Sequence, residues 1–294
     1  MTLFEKLNLI QADQNSLVCV GIDPDRGDES QKKKIPSFLW EKFGEGNIFG
    51  VVTKFCIDVI DATAPHCCAF KPNLAFFEAF GIPGWQALYK VLDHIKQNYR
   101  NHVLVVDGKR NDIGNTAGKY AISLKNMGAD VITTNPYMGC DTMEEYLKVG
   151  LGIFVLCLTS NAGVTDFQKL RFHHEVASDG SIMDLYAKVA VTVKQRFGQT
   201  GDAGLVVGAT HPDELKKVRA LVGDDMPFLI PGLGAQGGEA EATILANGKG
   251  LAIINTSRSV LYASDGEDYA EAAGSEAERT KNEINKYQAK MAKE

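Results

Sequence analysis

The stretch VLVVDGKRND (103–112) ends an apolar, β-branched run with an acid, a base and a second acid: Asp107, Lys109 and Asp112. Such a run reads as a buried strand, and a buried strand needs a reason to finish in charge. Two other runs finish the same way. LVCVGID (17–23) ends in Asp23, and CCAFK (67–71) ends in Lys71. Side chains alternate along a strand, so Leu17, Cys19, Gly21 and Asp23 share a face. Cys67, Ala69 and Lys71 share another, and Val103, Val105, Asp107 and Lys109 a third. One charge at a strand end is commonly just solvated. Four of mixed sign, on one face of three successive strands, mark a site.

The charges restrict the chemistry. A Schiff-base lysine must shed its proton, whereas Lys109 lies between Asp107 and Asp112, and opposite charge favours the ammonium form. It suits a fixed cation and proton donor. The run VVGATHP (206–212) ends without a lysine that could form a Schiff base instead. Asp23, Asp107 and Asp112 could hold Mg²⁺ through oxygen, but an ammonium among them competes for the same carboxylates and disfavours the ion. The six histidines show neither HExxH nor paired strand-end spacing, so zinc and iron are not expected.

A second set of residues suits an anion. PGLGAQGG (231–238) and NTSRSV (255–260) each follow an apolar run. Gly232, Gly234, Gly237 and Gly238 would let backbone N–H groups approach a phosphate closely, and a helix N-terminus would add its dipole. Gln236 could contribute an amide donor and Arg258 a bidentate cation. The fifth run, GIFVLCLTS (152–160), leads through Ser160 and Asn161 into a polar stretch reaching Gly180. Ser160 and Asn161 are either turn formers or readers of a polar ring, and so long a loop is expected to be functional, as a lid over the site.

Eight apolar runs must position these groups: 17–23, 68–73, 103–109, 130–137, 152–160, 204–210, 227–234 and 251–257. Between them lie segments of helical period. GWQALYKVLDHIKQ puts Trp85, Leu88, Val91, Leu92 and Ile95 on one face. NTAGKYAISLKNMG closes on Gly128, a suitable C′ residue. SIMDLYAKVAVTVKQRF opens with Ser181 and Asp184 in capping-box spacing, and HPDELKKVRALVG carries Pro212 in its first turn. Alternating buried strands and helices predict an α/β fold: a single (β/α)8 TIM barrel over 1–294, with an N-terminal helix (1–16), a long loop after strand 5 and a C-terminal helix and tail (275–294). An open doubly wound sheet is the alternative.

The bulk numbers are those of an ordinary globular chain. The chain has 294 residues, 45% hydrophobic and 23% charged. A net charge of −6 argues against a nucleic-acid surface. Six cysteines without a CxxC pair read as reduced, buried thiols. The N-terminal pattern is interrupted by Glu5 and Lys6, unlike a signal peptide, and no apolar run nears the roughly 20 residues of a membrane helix. A cytoplasmic protein without membrane contact is expected.

DGKRNDIGNT (107–116) resembles the DxKxxDIxxT signature of the orotidine 5′-phosphate decarboxylase family. GIDPD, FKPN, LTSNAG, VVGATHPDE and PGLGAQGG are similar to companion segments of the branch that includes mycobacterial-type enzymes, in family order from Gly21 to Arg258. DxKxxD alone is shared with sibling sugar-phosphate lyases; the full set is specific. The resemblance implies that Lys71, Asp107, Lys109 and Asp112 form an alternating array at the reacting carbon. Asp107 would then face the substrate carboxylate and Lys109 deliver the proton that replaces CO₂. It implies that Asp112, Ile113 and Thr116 cross a homodimer interface into the neighbouring site. It further implies ribose contacts from Asp23 and Lys71, a pyrimidine contact from Ser160, and a phosphate grip at Pro231, Gln236, Gly237 and Arg258. The family uses neither metal nor organic cofactor. A Mg²⁺-dependent sugar-phosphate lyase of the 3-keto-gulonate-6-phosphate decarboxylase or hexulose-phosphate synthase type, or a catalytically silent nucleotide-binding barrel, are the alternatives.

Overall fold

The computed structural model describes residues 1–27, 34–173, 182–232 and 237–291. Each of the eight apolar runs forms a strand: β1 Val18–Ile22, β2 Ala69–Pro72, β3 Val103–Val106, β4 Val131–Thr134 and β5 Gly152–Leu158 come first. A hairpin, β6 Arg171–His173 and β7 Ile182–Asp184, follows, and then β8 Ala203–Val207, β9 Phe228–Pro231 and β10 Ala252–Thr256. The hairpin apart, the strands are parallel and close a barrel in the order β1-β10-β9-β8-β5-β4-β3-β2. Closure is made where Val18 pairs with Ile254 and Cys19 with Asn255. This is the expected (β/α)8 barrel, not the open sheet.

Alternation separates two cores. Cys19, Ala69, Val105, Val131, Phe154, Val206, Leu229 and Ile253, one from each barrel strand, form the barrel interior. The intervening residues, such as Val20, Phe70, Val106 and Ile254, pack outward against the helices. The helix Leu3–Gln14 inserts Leu3, Leu7 and Ile10 into the interior cluster. It sits at the strands' N-terminal ends, since Phe4 N–H bonds Gly201 O at 2.9 Å and the Gln11 amide donates to Ala252 O at 2.7 Å. One end of the barrel is thereby closed with apolar side chains, and polar chemistry is left to the other.

The surrounding helices follow the sequence pattern with two exceptions. Gly81–Asn98 buries Leu88, Val91, Leu92 and Ile95, and Gly114–Asn126 ends before Gly128, which holds φ +87°. Pro212 opens Pro212–Val222. The expected capped start at Ser181 is corrected: Ser181 lies outside the described residues, and the helix begins only at Leu185. Ile182–Asp184 instead pairs antiparallel with Arg171–His173, so its backbone groups are bonded across the long loop rather than within a helix. The terminal helix runs Tyr269–Met291, starting before residue 275. Among the described residues no helix is long and apolar enough to cross a membrane.

Candidate active site

Lys71 extends from β2 into the barrel mouth and is 4% exposed. Its Nζ donates to Asp107 Oδ2 at 2.9 Å. Asp107 follows β3 directly, and its backbone is fixed on both sides, N–H to Pro72 O and C=O from the Leu74 N–H. Its other oxygen, Oδ1, accepts from Lys109 Nζ at 2.6 Å and from the Thr133 hydroxyl at 2.7 Å. Burial alone would raise the Asp107 carboxyl, but Lys71 and Lys109 outweigh it and hold the group well below the usual carboxylate range. Burial likewise would lower Lys71; Asp107 and Asp23 reverse that and keep it above the ordinary lysine value. The array is therefore a carboxylate clamped between two ammonium groups.

Alternation does not carry Lys109 into place. β3 ends at Val106, and Lys109 holds φ +47°, so a turn rather than a strand face returns its side chain to Asp107. Gly108 makes room for that turn: a Cβ there would lie 2.6 Å from Leu74 Cδ1.

Asp23, just past β1, is pushed above the usual carboxylate range by burial, against the pull of Lys71. One of its oxygens, Oδ1, is buried without a partner among the described residues. Its backbone is held by Tyr262, whose hydroxyl donates to Asp23 O at 2.7 Å and accepts the Asp25 N–H at 2.9 Å. Ser257 Oγ accepts from Asn255 Nδ2 at 3.2 Å. A Cβ on Gly21 would fall 1.9 Å from Ser257 Oγ, so only glycine lets β1 and the end of β10 approach this closely.

Asp112, Ile113 and Thr116 stand apart from the array. The Asp112 carboxylate accepts the Ile113 N–H at 2.8 Å, Ile113 is 61% exposed, and Thr116 lies exposed on the first turn of Gly114–Asn126. Across the barrel mouth, Ser160 sits exposed beyond β5 and its carbonyl accepts from Thr210. It packs on Gly208, just past β8, where a Cβ would come within 2.9 Å of the Ser160 N. Pro231 ends β9, Gly237 opens the helix Gly237–Asn247, and Arg258 stands exposed at the head of Arg258–Leu261. Gln236 lies outside the described residues. The array thus lies at the ends of β2 and β3, Ser160 beyond β5, and Pro231 and Arg258 at the ends of β9 and β10, next to β1 in the closed barrel.

Thr133, Asn255, Ser257 and Tyr262 were not singled out by sequence. Thr133 and Asn255 each lie two residues beyond an interior residue, Val131 and Ile253, so the alternation that found Lys71 also reaches them. Neither carries charge, and only the register between strands reveals what they touch. Tyr262 reaches Asp23 from 239 residues away, beyond any local pattern. As for a divalent cation, both Asp107 oxygens are committed to ammonium and hydroxyl donors, which such an ion would have to displace.

Comparisons with known proteins place the whole chain. The model of the orotidine 5′-phosphate decarboxylase / HUMPS family matches residues 16–273. An orotidine 5′-phosphate decarboxylase of Janthinobacterium sp. (strain Marseille) is 43% identical over 98% of this chain and 99% of its own length. That of Cupriavidus metallidurans is 42% identical over 98% and 99%. Among solved structures, OMP decarboxylase of Leishmania donovani superposes with a TM-score of 0.77 at 34% identity, covering 98% of this chain and 99% of that one. Barrel, rim array and near-complete matches to these relatives converge on one assignment: the chain belongs to the orotidine 5′-phosphate decarboxylase family.

Proposed function

We propose that the chain converts orotidine 5′-monophosphate to uridine 5′-monophosphate and CO₂, a step of pyrimidine biosynthesis, with Lys109 protonating C6 and without metal or organic cofactor. The observation that carries this reading is the Lys71–Asp107–Lys109 array, two ammonium groups on one buried carboxylate. Breaking the C6–carboxylate bond leaves its electron pair in an sp² orbital that the ring cannot delocalise. Enzymes lower barriers by about 8–23 kcal/mol in most cases, and this reaction calls for the upper end. An ammonium already held beside C6 stabilises that pair without solvent reorganisation and then transfers a proton to it. Lys109 is left as the neutral amine and recovers its proton from water through its half-exposed side. Asp107 beside the substrate carboxylate disfavours the bound ground state more than a transition state in which that charge departs.

The other rim residues take the remote parts of the nucleotide. Asp23, whose Oδ1 has no partner among the described residues, and Lys71 suit the ribose hydroxyls; Ser160 suits the pyrimidine edge. Pro231, Gln236, Gly237 and Arg258 suit the phosphate, whose binding energy holds the ring against the array. The half-buried Asp112 and the exposed Ile113 and Thr116 fit a role in the neighbouring site of a homodimer, where Asp112 would complete the alternation of charge.

The test is Lys109→Ala. Turnover of orotidine monophosphate should fall at least about a thousandfold, while uridine monophosphate still binds within about tenfold of wild type by calorimetry. Near-normal kcat in that variant would remove Lys109 as the proton donor.

A further inference from the structure

Thr133 belongs to none of the charged groups above, yet it touches two of them. It is buried on β4, at 2% exposure. Its hydroxyl donates to Asp107 Oδ1 at 2.7 Å and accepts the Lys109 backbone N–H at 3.0 Å. Both directions are forced: an ionised carboxylate only accepts and a backbone N–H only donates, so one hydroxyl satisfies the two at once. Lys109 is one of two non-glycine residues at positive φ among the described residues; the other, Asn15, merely ends a helix. A side chain bearing a Cβ does not stay in that region without something to hold it.

We propose that Thr133 is a positioning residue, a hydroxyl clamp that fixes the Lys109 backbone against Asp107 so that the ammonium stays aimed while its partner changes. This inference rests on the decarboxylase reading. The Lys109 ammonium is bound to Asp107 Oδ1 at 2.6 Å, and in the reaction it must turn to C6. The ion pair cannot then hold the lysine, but the N–H bond to Thr133 can. The threonine proton remains on the same Asp107 oxygen and partly compensates the carboxylate as the ammonium leaves. Loss of the hydroxyl would leave substrate binding in place and misdirect the acid, an error of the kind that costs about a hundredfold for an ångström of displacement.

The experiment compares Thr133→Val, which keeps the shape and removes the hydroxyl, with Thr133→Ser, which keeps the hydroxyl. Turnover of orotidine monophosphate is measured per uridine monophosphate-binding site, so that any unfolded fraction is normalised out. Thr133→Val should lose roughly 10- to 100-fold in kcat with KM within about threefold of wild type. Thr133→Ser should recover to within about fivefold of wild-type kcat. Valine at wild-type kcat, or serine no better than valine, overturns the clamp. If the valine variant does not fold, Thr133→Ala removes the hydroxyl without adding bulk. A crystal structure of the hydroxyl-free variant gives a readout that needs no turnover: Lys109 should leave positive φ, and a Lys109 still at its present φ on Asp107 overturns the clamp. An inactive wild type would instead refute the decarboxylase reading, with the crystal structure still judging the clamp.

Discussion

Asp107 is the residue on which the array depends, because it separates two cations that would otherwise repel. Removing one partner of a buried pair costs about 3–5 kcal/mol, here chiefly through Lys71, since the Lys109 side chain is 48% exposed and screened. Asp107→Asn should therefore lower Tm by roughly 5–8 °C at neutral pH. The pH dependence has a definite sign. Folded Asp107 binds a proton less readily than an unfolded aspartate, so the unfolded chain takes up more protons as pH falls through about 4. The stabilisation is complete above that pH and fades below it, and the Tm gap between wild type and variant should narrow from pH 5 to pH 3. A gap independent of pH would place the cost elsewhere. Asp23, Lys71, Asp107 and Lys109 were legible in the sequence because charge at the end of an apolar run is conspicuous. Thr133 and Ser257 were not, because an uncharged hydroxyl acquires meaning only from what a neighbouring strand brings to it.

The elements divide labour between the two ends of the barrel. The helix Leu3–Gln14 closes one end with Leu3, Leu7 and Ile10, and the turn after β3 builds chemistry at the other. Leu7 is fully buried, so Leu7→Ala should cost about 2–5 kcal/mol through lost burial and a residual cavity. Its urea midpoint should fall while kcat at 25 °C stays within about twofold of wild type, because the array lies at the far end. A large fall in kcat with unchanged stability would contradict this separation. All eight barrel strands were readable as apolar runs, since parallel strands buried on both faces leave that signature. Two local features were not. The helix signal beginning at Ser181 gave way to the β6–β7 hairpin, whose pairing joins Arg171 to Asp184 across the loop. Alternation placed Lys109 beside Asp107 for the wrong local reason, because the strand stops at Val106 and a left-handed residue completes the approach.

At the scale of the whole molecule the barrel closes on itself between β1 and β10, so the candidate residues form one arc of the rim, from Pro231 and Arg258 at β9 and β10 through Asp23 at β1 to the array at β2 and β3. An elongated nucleotide monophosphate fits along such an arc. The sequence motif DGKRNDIGNT is divided in its turn. Asp107 and Lys109 turn into the barrel, whereas Asp112 is half-buried and bonded to the Ile113 N–H, and Ile113 and Thr116 are exposed, a division the spacing alone does not disclose. If the outward half serves a second subunit, mixing inactive Lys109→Ala and Asp112→Ala dimers should restore roughly a quarter of wild-type activity, through one intact site in each heterodimer. No recovery after confirmed subunit exchange would return Asp112 to its own subunit's site. Metal-free decarboxylation is tested by incubating the purified protein with orotidine 5′-monophosphate and following absorbance with and without a metal chelator. The orotate absorbance should be lost with stoichiometric uridine monophosphate and CO₂, at the same rate in both. Turnover abolished by the chelator, or binding of uridine monophosphate without any turnover, would contradict it.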